Sequence, residues 1–356
     1  FMTFVSSVFM LFKHMGLYER KAMLASAGGQ RAEGLGKLVR RIFLGTAIFE
    51  FTGAALLSIR FIGEYGTALG IYYAVWHSVS AFCNAGFDIL GGASLVKYAT
   101  DPLVSLTICA LIIIGGLGFC VWGDIVDTKF NVKKFQLNTK MVLFVSSIML
   151  VGSTTLFMVF EWNNYDGYNF WQKLLCCFFN ATSPRTAGFF STDPEALSES
   201  SYMLTLALMF VGGNSGSTAG GIKVGTFTVI IMGMISVFRG GQDINIGKKR
   251  LKPTLVAQAL AIFAAFLMIA IISTIAICAI EPDTVSAKYV VFECFSALGT
   301  VGLSLNLTPQ LSIASKIIIM LLMYTGRVGI LTLALALGEK HSTAAVRKPV
   351  DSVLIG

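Results

Sequence analysis

Charge is scarce in this chain: Asp, Glu, Lys and Arg make up 13% of its 356 residues, against about a quarter in ordinary soluble domains. Histidine is scarcer still, with three residues. The seven cysteines (Cys83, Cys109, Cys120, Cys176, Cys177, Cys278 and Cys294) lie inside apolar runs with no CxxC spacing. That pattern favours neither a disulfide framework nor a zinc site. No P-loop occurs and no GxGxxG follows a strand, so nothing in the chain itself suggests nucleotide binding. Without a His/Asp/Ser or metal-ligand constellation, an intramembrane enzyme is the least favoured function.

What is abundant is apolar sequence. Hydrophobic residues reach 55% and the mean hydropathy is +0.75. Runs of about 20 apolar residues, each long enough to cross a bilayer, recur throughout. The sequence therefore predicts an all-α integral membrane protein. The net charge of +8 raises nucleic acid as a partner, but the basic residues sit in short loops between apolar runs, where they act as topology signals instead.

The apolar pattern predicts spans near 1–17, 38–62, 102–126, 138–161, 201–238, 253–281 and 312–338; the fifth is too long for one helix and is interrupted by glycines. Shorter apolar segments lie near 71–83, 168–180 and 287–298. Segments that short cannot cross, so each is expected to re-enter on the side it came from. Lys and Arg concentrate in residues 13–41, 129–140 and 239–252 and in the tail from Lys340 to Lys348. These basic loops and the C-terminus are expected to be cytoplasmic. Acidic stretches around Asp193, Glu195 and Glu199, and around Glu281 and Asp283, then face outside, as do the mouths of the re-entrant segments.

The three re-entrant segments share a pattern. Ser80-Ala81-Phe82-Cys83-Asn84-Ala85-Gly86-Phe87 aligns with Thr182-Ser183-Pro184-Arg185-Thr186-Ala187-Gly188-Phe189 and with Ser296-Ala297-Leu298-Gly299-Thr300-Val301-Gly302-Leu303. A second element follows each: Gly115-Gly116-Leu117-Gly118-Phe119, Gly212-Gly213-Asn214-Ser215-Gly216, and Gly326-Arg327-Val328-Gly329. The repeat is a helix, a half-helix with its loop, and a second helix. Phe1-Met2-Thr3-Phe4 reads as the continuation of the same element after Phe119, and the chain begins without Met on an apolar stretch. It is therefore taken as a fragment of a four-unit protein. Residues 1–37 form the end of a truncated first repeat and a cytoplasmic loop, 38–137 the second repeat, 138–252 the third with a broken second helix and a cytoplasmic loop, and 253–356 the fourth with the tail.

Units with the same inside-to-outside order are parallel repeats about an axis along the membrane normal, unlike inverted repeats. Half-helices leading into Gly-containing loops around one axis aim backbone carbonyls, and the negative ends of helix dipoles, at a dehydrated cation. No carboxylate occurs in the three loops, so a monovalent cation is expected rather than calcium or magnesium. The plain alternative is that the glycines only let short helices pack. For Gly212-Gly213-Asn214-Ser215-Gly216-Ser217-Thr218-Ala219-Gly220-Gly221-Ile222-Lys223, the competing readings are an unwound gating loop and a small-residue packing stripe on Gly212, Gly216 and Gly220. Arg327, inside an apolar span, either shapes the ion's energy profile or pairs with Glu293 or Glu50. His77, Glu50 and Glu293 are read as scaffold, and Trp76, Trp122, Trp162 and Trp171 as including interfacial anchors.

At these residues the sequence resembles the superfamily of K⁺ transporters that includes the Trk, Ktr and plant HKT proteins, and within it the Ktr-type membrane subunits. Asn84-Ala85-Gly86-Phe87, Pro184-Arg185-Thr186-Ala187-Gly188-Phe189, Gly299-Thr300-Val301-Gly302-Leu303, the Gly212 to Lys223 loop and Gly326-Arg327-Val328-Gly329 carry the resemblance over essentially the whole chain. It implies four pseudo-symmetric units around a pore in the plasma (inner) membrane. The implied filter holds K⁺ at one glycine per unit, here Gly86, Gly188 and Gly302, with a gating loop at Gly212 to Lys223 and an arginine near the constriction at Arg327. Glycine at all three positions favours K⁺ over Na⁺, since serine there marks Na⁺-selective plant relatives. The resemblance further implies a homodimer, a cytoplasmic ring of nucleotide-binding regulatory subunits of the KtrA/TrkA type, activation by ATP and Na⁺, Rb⁺ as a K⁺ analogue, and no bound cofactor. The loop from Arg239 to Lys252 is a docking surface for such a ring or a membrane-facing basic loop. The expected function is channel-like K⁺ uptake; a Na⁺- or H⁺-coupled symporter and a non-conducting receptor or anchor are the alternatives.

Overall fold

The computed structural model describes residues 35–329 apart from positions 93, 242, 243, 247 and 248. The expected first span at 1–17, the end of the last span beyond Gly329 and the basic tail lie outside the described residues. Eleven α-helices occur among those described: α1 (Leu35–Tyr65), α2 (Thr67–Phe82), α3 (Pro102–Leu117), α4 (Phe119–Asp127), α5 (Leu137–Phe160), α6 (Phe170–Thr182), α7 (Glu199–Phe210), α8 (Val224–Phe238), α9 (Pro253–Ile280), α10 (Ala287–Gly299) and α11 (Ile313–Val328). Among the described residues, extended pairing is confined to a two-residue antiparallel match of Asn245–Ile246 with Lys249–Arg250 inside the basic loop and a single bridge between Val211 and Ile222.

Among the described residues, three stretches are long and apolar enough to cross a bilayer: Arg40–Tyr65 in α1, Leu137–Phe160 in α5 and Thr254–Ile280 in α9. Only 17 to 28% of their most apolar windows is buried, so most of each helix faces outward, where lipid is the matching solvent. Each is followed by a short helix, α2, α6 or α10, whose inner face is buried and which ends at a loop. A capped helix comes next. Asp101, Ser198 and Ser312 accept hydrogen bonds from backbone N–H groups in the first turns of α3, α7 and α11, satisfying donors that helix starts leave unpaired.

Those capped helices are short. At 1.5 Å per residue, the 16, 12 and 16 residues of α3, α7 and α11 reach only about three-fifths to four-fifths of the way through a bilayer core of ~30 Å. The span expected at 102–126 is not one straight helix: α3 and α4 meet at 89°. Gly118 makes the break, with φ +94°, a conformation that a side chain would strain. A break was expected only in the third unit. Gly329 closes α11 in nearly the same geometry, φ 88° and ψ 132° against 94° and 143° at Gly118.

Cores form within the units and across them. One cluster joins Leu57, Phe61, Phe82 and Ile108 to Phe179, Ala187 and Phe189 of the next unit's half-helix and loop, and another joins α9, α10 and α11 around Phe266, Leu298 and Leu322. At one end of the molecule Arg41 pairs with Asp127 at 2.7 Å, tying the start of α1 to the end of α4. At the other end Arg60 pairs with Asp101 at 2.7 Å.

Candidate functional site

Three loops with the same backbone meet at the centre. Asn84, Thr186 and Thr300 have φ of 49°, 72° and 53°, and two residues later Gly86, Gly188 and Gly302 have φ of 71°, 80° and 92°. A positive φ at a residue other than glycine is uncommon, so its recurrence at one register in three loops reflects one design used three times. The loops are fastened alike. Ser80 Oγ donates to Phe87 O at 2.9 Å, Ser183 Oγ donates to Phe189 O, and Ser296 Oγ accepts from Gly302 N at 3.1 Å.

The glycines are neighbours. A Cβ added to Gly188 would lie 3.4 Å from the Cα of both Gly86 and Gly302, and 2.5 Å from Val301 O. A Cβ on Gly86 would overlap Ala187 O. In each case the carbonyl just before one unit's glycine faces the glycine of the unit before it, and no side chain fits at either contact. Of the other loop residues, Asn84, Thr186, Ala187, Phe189, Val301 and Leu303 are buried, Ala85 and Thr300 are partly so, and Phe87 is exposed. Asn84 Nδ2 donates to Thr186 Oγ1 at 3.3 Å, linking two loops.

Between α7 and α8 the chain is not helical. Gly212 N donates to Ile222 O at 2.9 Å, so residues 211–222 form a closed excursion with Val211 beside Ile222. Gly212, Gly216 and Gly220 consequently do not share a helix face, which removes the packing-stripe reading in its helical form. The excursion fills the break after α3. Asn214 N donates to Gly116 O at 2.9 Å, Asn214 Nδ2 to Leu117 O at 3.0 Å, and Phe119 N to Gly216 O at 2.9 Å. The carbonyls and amide freed by the bend are thereby satisfied, as buried backbone requires. Ser217 Oγ donates to Asn214 O at 2.6 Å and accepts from Ala219 N at 3.3 Å, and Lys223 Nζ donates to Ala219 O at 2.6 Å. Gly213 packs on the Ala219 side chain, Gly220 on Thr300, and Gly221 on Gly212. Ser215 is exposed at the tip.

Thr218 is where the excursion meets the other units. Its Oγ1 lies 3.1 Å from Phe82 O and 3.4 Å from Asn84 Oδ1, and its carbonyl accepts from Arg327 Nη1 at 2.6 Å. The paired alternative for Arg327 is corrected here. Glu293 is taken up by Ser304, by Leu305 N at 3.3 Å and by Thr308 at 2.8 Å, and Glu50 faces Cys83 Sγ at 3.8 Å. The guanidinium goes to the excursion's backbone instead. Glu50, His77 and Glu293 otherwise behave as scaffold: His77 Nδ1 lies 2.7 Å from Tyr73 O. Trp122 is no interfacial anchor, because it packs on Phe49, Phe82 and Phe119 beside the Gly118 break.

Two features escaped the sequence reading. Glu161, just after α5, accepts from Ser198 N at 3.0 Å and Ser198 Oγ at 2.7 Å. Glu281, just after α9, accepts in the same way from Ser312 N at 3.0 Å and Ser312 Oγ at 2.7 Å. Each carboxylate clamps the start of its unit's capped helix. The signal was a Glu closing each apolar run, paired with a Ser three residues before another Ser. Burial pushes the Glu161 carboxyl up, but hydrogen bonds from Ser201, Ser198 and Asn164 outweigh it and hold the pKa below the ordinary value. At Glu281 hydrogen bonds from Ser315 and Ser312 lower it. The second missed feature is Arg185, whose Nη2 donates to Ser146 Oγ at 3.3 Å.

Long apolar helices that face outward, half-helices ending at one point and an irregular segment enclosed between broken helices define a protein of the membrane transporter class. Residues 1–347 match the family model described as TrkH, cation transport protein, and the chain belongs to that family. It is 38% identical over 333 residues to the potassium/sodium uptake protein NtpJ of Enterococcus hirae, covering 92% of this chain and 73% of the relative. It is 37% identical over 362 residues to the Ktr system potassium uptake protein B of Bacillus subtilis, covering 100% and 80%. The crystal structure of the potassium transporter TrkH from Vibrio parahaemolyticus shares the fold, with a TM-score of 0.73 at 18% identity over 89% of this chain and 68% of that one.

Proposed function

We propose that this protein is the K⁺-translocating subunit of a potassium uptake system, passing K⁺ down its electrochemical gradient through a filter of backbone carbonyls. The observation that supports this most is the threefold recurrence of a left-handed residue two before a left-handed glycine, with Gly188 packed between Gly86 and Gly302. Carbonyls held in that way replace the hydration shell of a monovalent cation without a carboxylate. The filter residues are Asn84, Ala85, Gly86 and Phe87; Thr186, Ala187, Gly188 and Phe189; and Thr300, Val301, Gly302 and Leu303. The excursion from Gly212 to Lys223 is the gate, held shut through Thr218 by Asn84 on one side and Arg327 on the other. The names of both relatives cited above carry potassium uptake, and the second belongs to a Ktr system, which supports homodimerisation and a cytoplasmic nucleotide-binding ring as partners here.

One of those names also includes sodium, which favours Na⁺ as activator, coupling ion or second cargo. Rubidium uptake into liposomes holding the full chain, with K⁺ trapped inside and the Na⁺ gradient varied, separates the readings. Accumulation irrespective of the Na⁺ gradient is expected. Uptake that reverses with that gradient would establish coupled transport, and no uptake under any gradient would establish a non-conducting anchor.

A further inference from the structure

The chain between α4 and α5 turns at the bilayer surface. Asp127, at the end of α4, pairs with Arg41 at 2.7 Å, and Arg41 lies at the start of the apolar stretch Arg40–Tyr65. The next apolar stretch begins at Leu137. Residues 128–136 are thus tied at both ends to the starts of bilayer-crossing helices, which puts them at the level of the lipid headgroups.

The loop is held in one shape. Lys129 and Phe130 are both left-handed, with φ of 51° and 60°, a conformation uncommon outside glycine. Lys129 N donates to Val126 O at 3.1 Å, Phe130 N to Ile125 O at 3.0 Å and Asn131 N to Thr128 O at 3.1 Å. The buried Asp124 carboxylate accepts from Gln136 N at 2.9 Å and pins the far end. What this shape turns outward is apolar and basic together. Phe130 is 76% exposed and Val132 64%, with Lys129, Lys133 and Lys134 exposed around them. No Asp or Glu occurs from 128 to 140, and Asp127 is taken by Arg41. Among the described residues, none of these three lysines enters an ion pair.

We propose that this loop docks on anionic phospholipids of the leaflet beside it, with Phe130 and Val132 entering the acyl boundary and Lys129, Lys133 and Lys134 meeting headgroup phosphates. The surface is complementary to such a leaflet in both of its parts: apolar area is buried at the headgroup boundary, and each lysine adds electrostatic attraction. In water alone, the same residues would leave a large ring exposed beside three charges that repel one another. Because α4 runs from the Gly118 break to this loop, the leaflet anchors the far end of the broken helix. The inference rests on the membrane spans and not on the cargo or the filter.

Hydrogen–deuterium exchange of the full chain in nanodiscs of phosphatidylcholine, with and without phosphatidylglycerol, tests it. Amides of residues 128–136 should exchange about fivefold more slowly with phosphatidylglycerol present, the factor that one lysine near an anionic surface supplies. The difference should shrink as salt rises and vanish in the combined variant Lys129→Gln, Lys133→Gln, Lys134→Gln. It should persist in Lys316→Gln, whose ammonium donates to Pro309 O beside α11. Phe130→Ser, which keeps the charges, should speed exchange in either lipid. If the combined variant does not fold, the unmodified protein compared across lipids and salt decides. Exchange equal in the two lipids would overturn the proposal and assign the surface to a protein partner, and a difference surviving the combined variant would overturn it by placing the lipid elsewhere.

Discussion

Gly188 stands between its two counterparts, so it is the residue whose substitution the loop cluster tolerates least. A side chain there meets a positive φ and Val301 O at 2.5 Å, a strain of about 1–3 kcal/mol before any functional effect. Gly188→Ser should therefore displace the neighbouring carbonyl and lower the K⁺/Na⁺ flux ratio by about tenfold, the equivalent of 1.4 kcal/mol. An unchanged ratio would remove Gly188 from the filter. Glu161 supports a prediction of a different kind. Its folded-state pKa is depressed, so the stability it contributes is present above the unfolded carboxylate pKa of about 4.3 and is lost as pH falls through the folded value. On acidification from pH 6 to pH 3, Tm should fall less steeply in Glu161→Gln than in the unmodified protein. Parallel curves would mean that the clamp on Ser198 is energetically silent.

The broken helices and the excursion are a single mechanical element. The excursion satisfies the backbone freed at Gly118, so loosening either loosens both. Gly118→Ala places a Cβ 2.9 Å from Ser215 O at a φ of +94° and should lower Tm by several degrees through about 1–3 kcal/mol of strain. Thr218→Val removes the hydroxyl that faces Phe82 O and Asn84 but keeps the carbonyl that Arg327 holds. Buried hydrogen bonds contribute about 1 kcal/mol each, so rubidium flux without a regulator should rise by about tenfold. Deleting residues 214–218 should raise it further. Flux unaltered in both variants would make the excursion a packing device. The bend at Gly118 was legible in principle, because Gly115-Gly116-Leu117-Gly118 aligns with the glycines of the excursion. It was missed because an apolar run of 25 residues from 102 to 126 satisfies every length criterion for a straight span. Nothing local reveals that another segment will intrude at its midpoint.

Across the whole molecule, the parallel order of the units sets sidedness. Single cysteines introduced at Lys133 and at Asp193 should react with impermeant reagents from opposite faces of sealed vesicles, Lys133 from the face bearing the basic loops. Labelling of both from one side would overturn the parallel arrangement. The sequence determined the membrane environment, the long spans, the half-helices and the register of the three glycine motifs. Each of these follows from composition or from short-range periodicity, which any segment carries within itself. The tertiary structure alone decided that Gly188 packs between Gly86 and Gly302, that Thr218 joins Asn84 to Arg327, and that Glu293 is unavailable to Arg327. Those facts depend on which distant segments share one space. Hydrogen bonding and charge balance in a low-dielectric interior are settled by neighbours up to 136 positions away in the chain, and no local pattern encodes them.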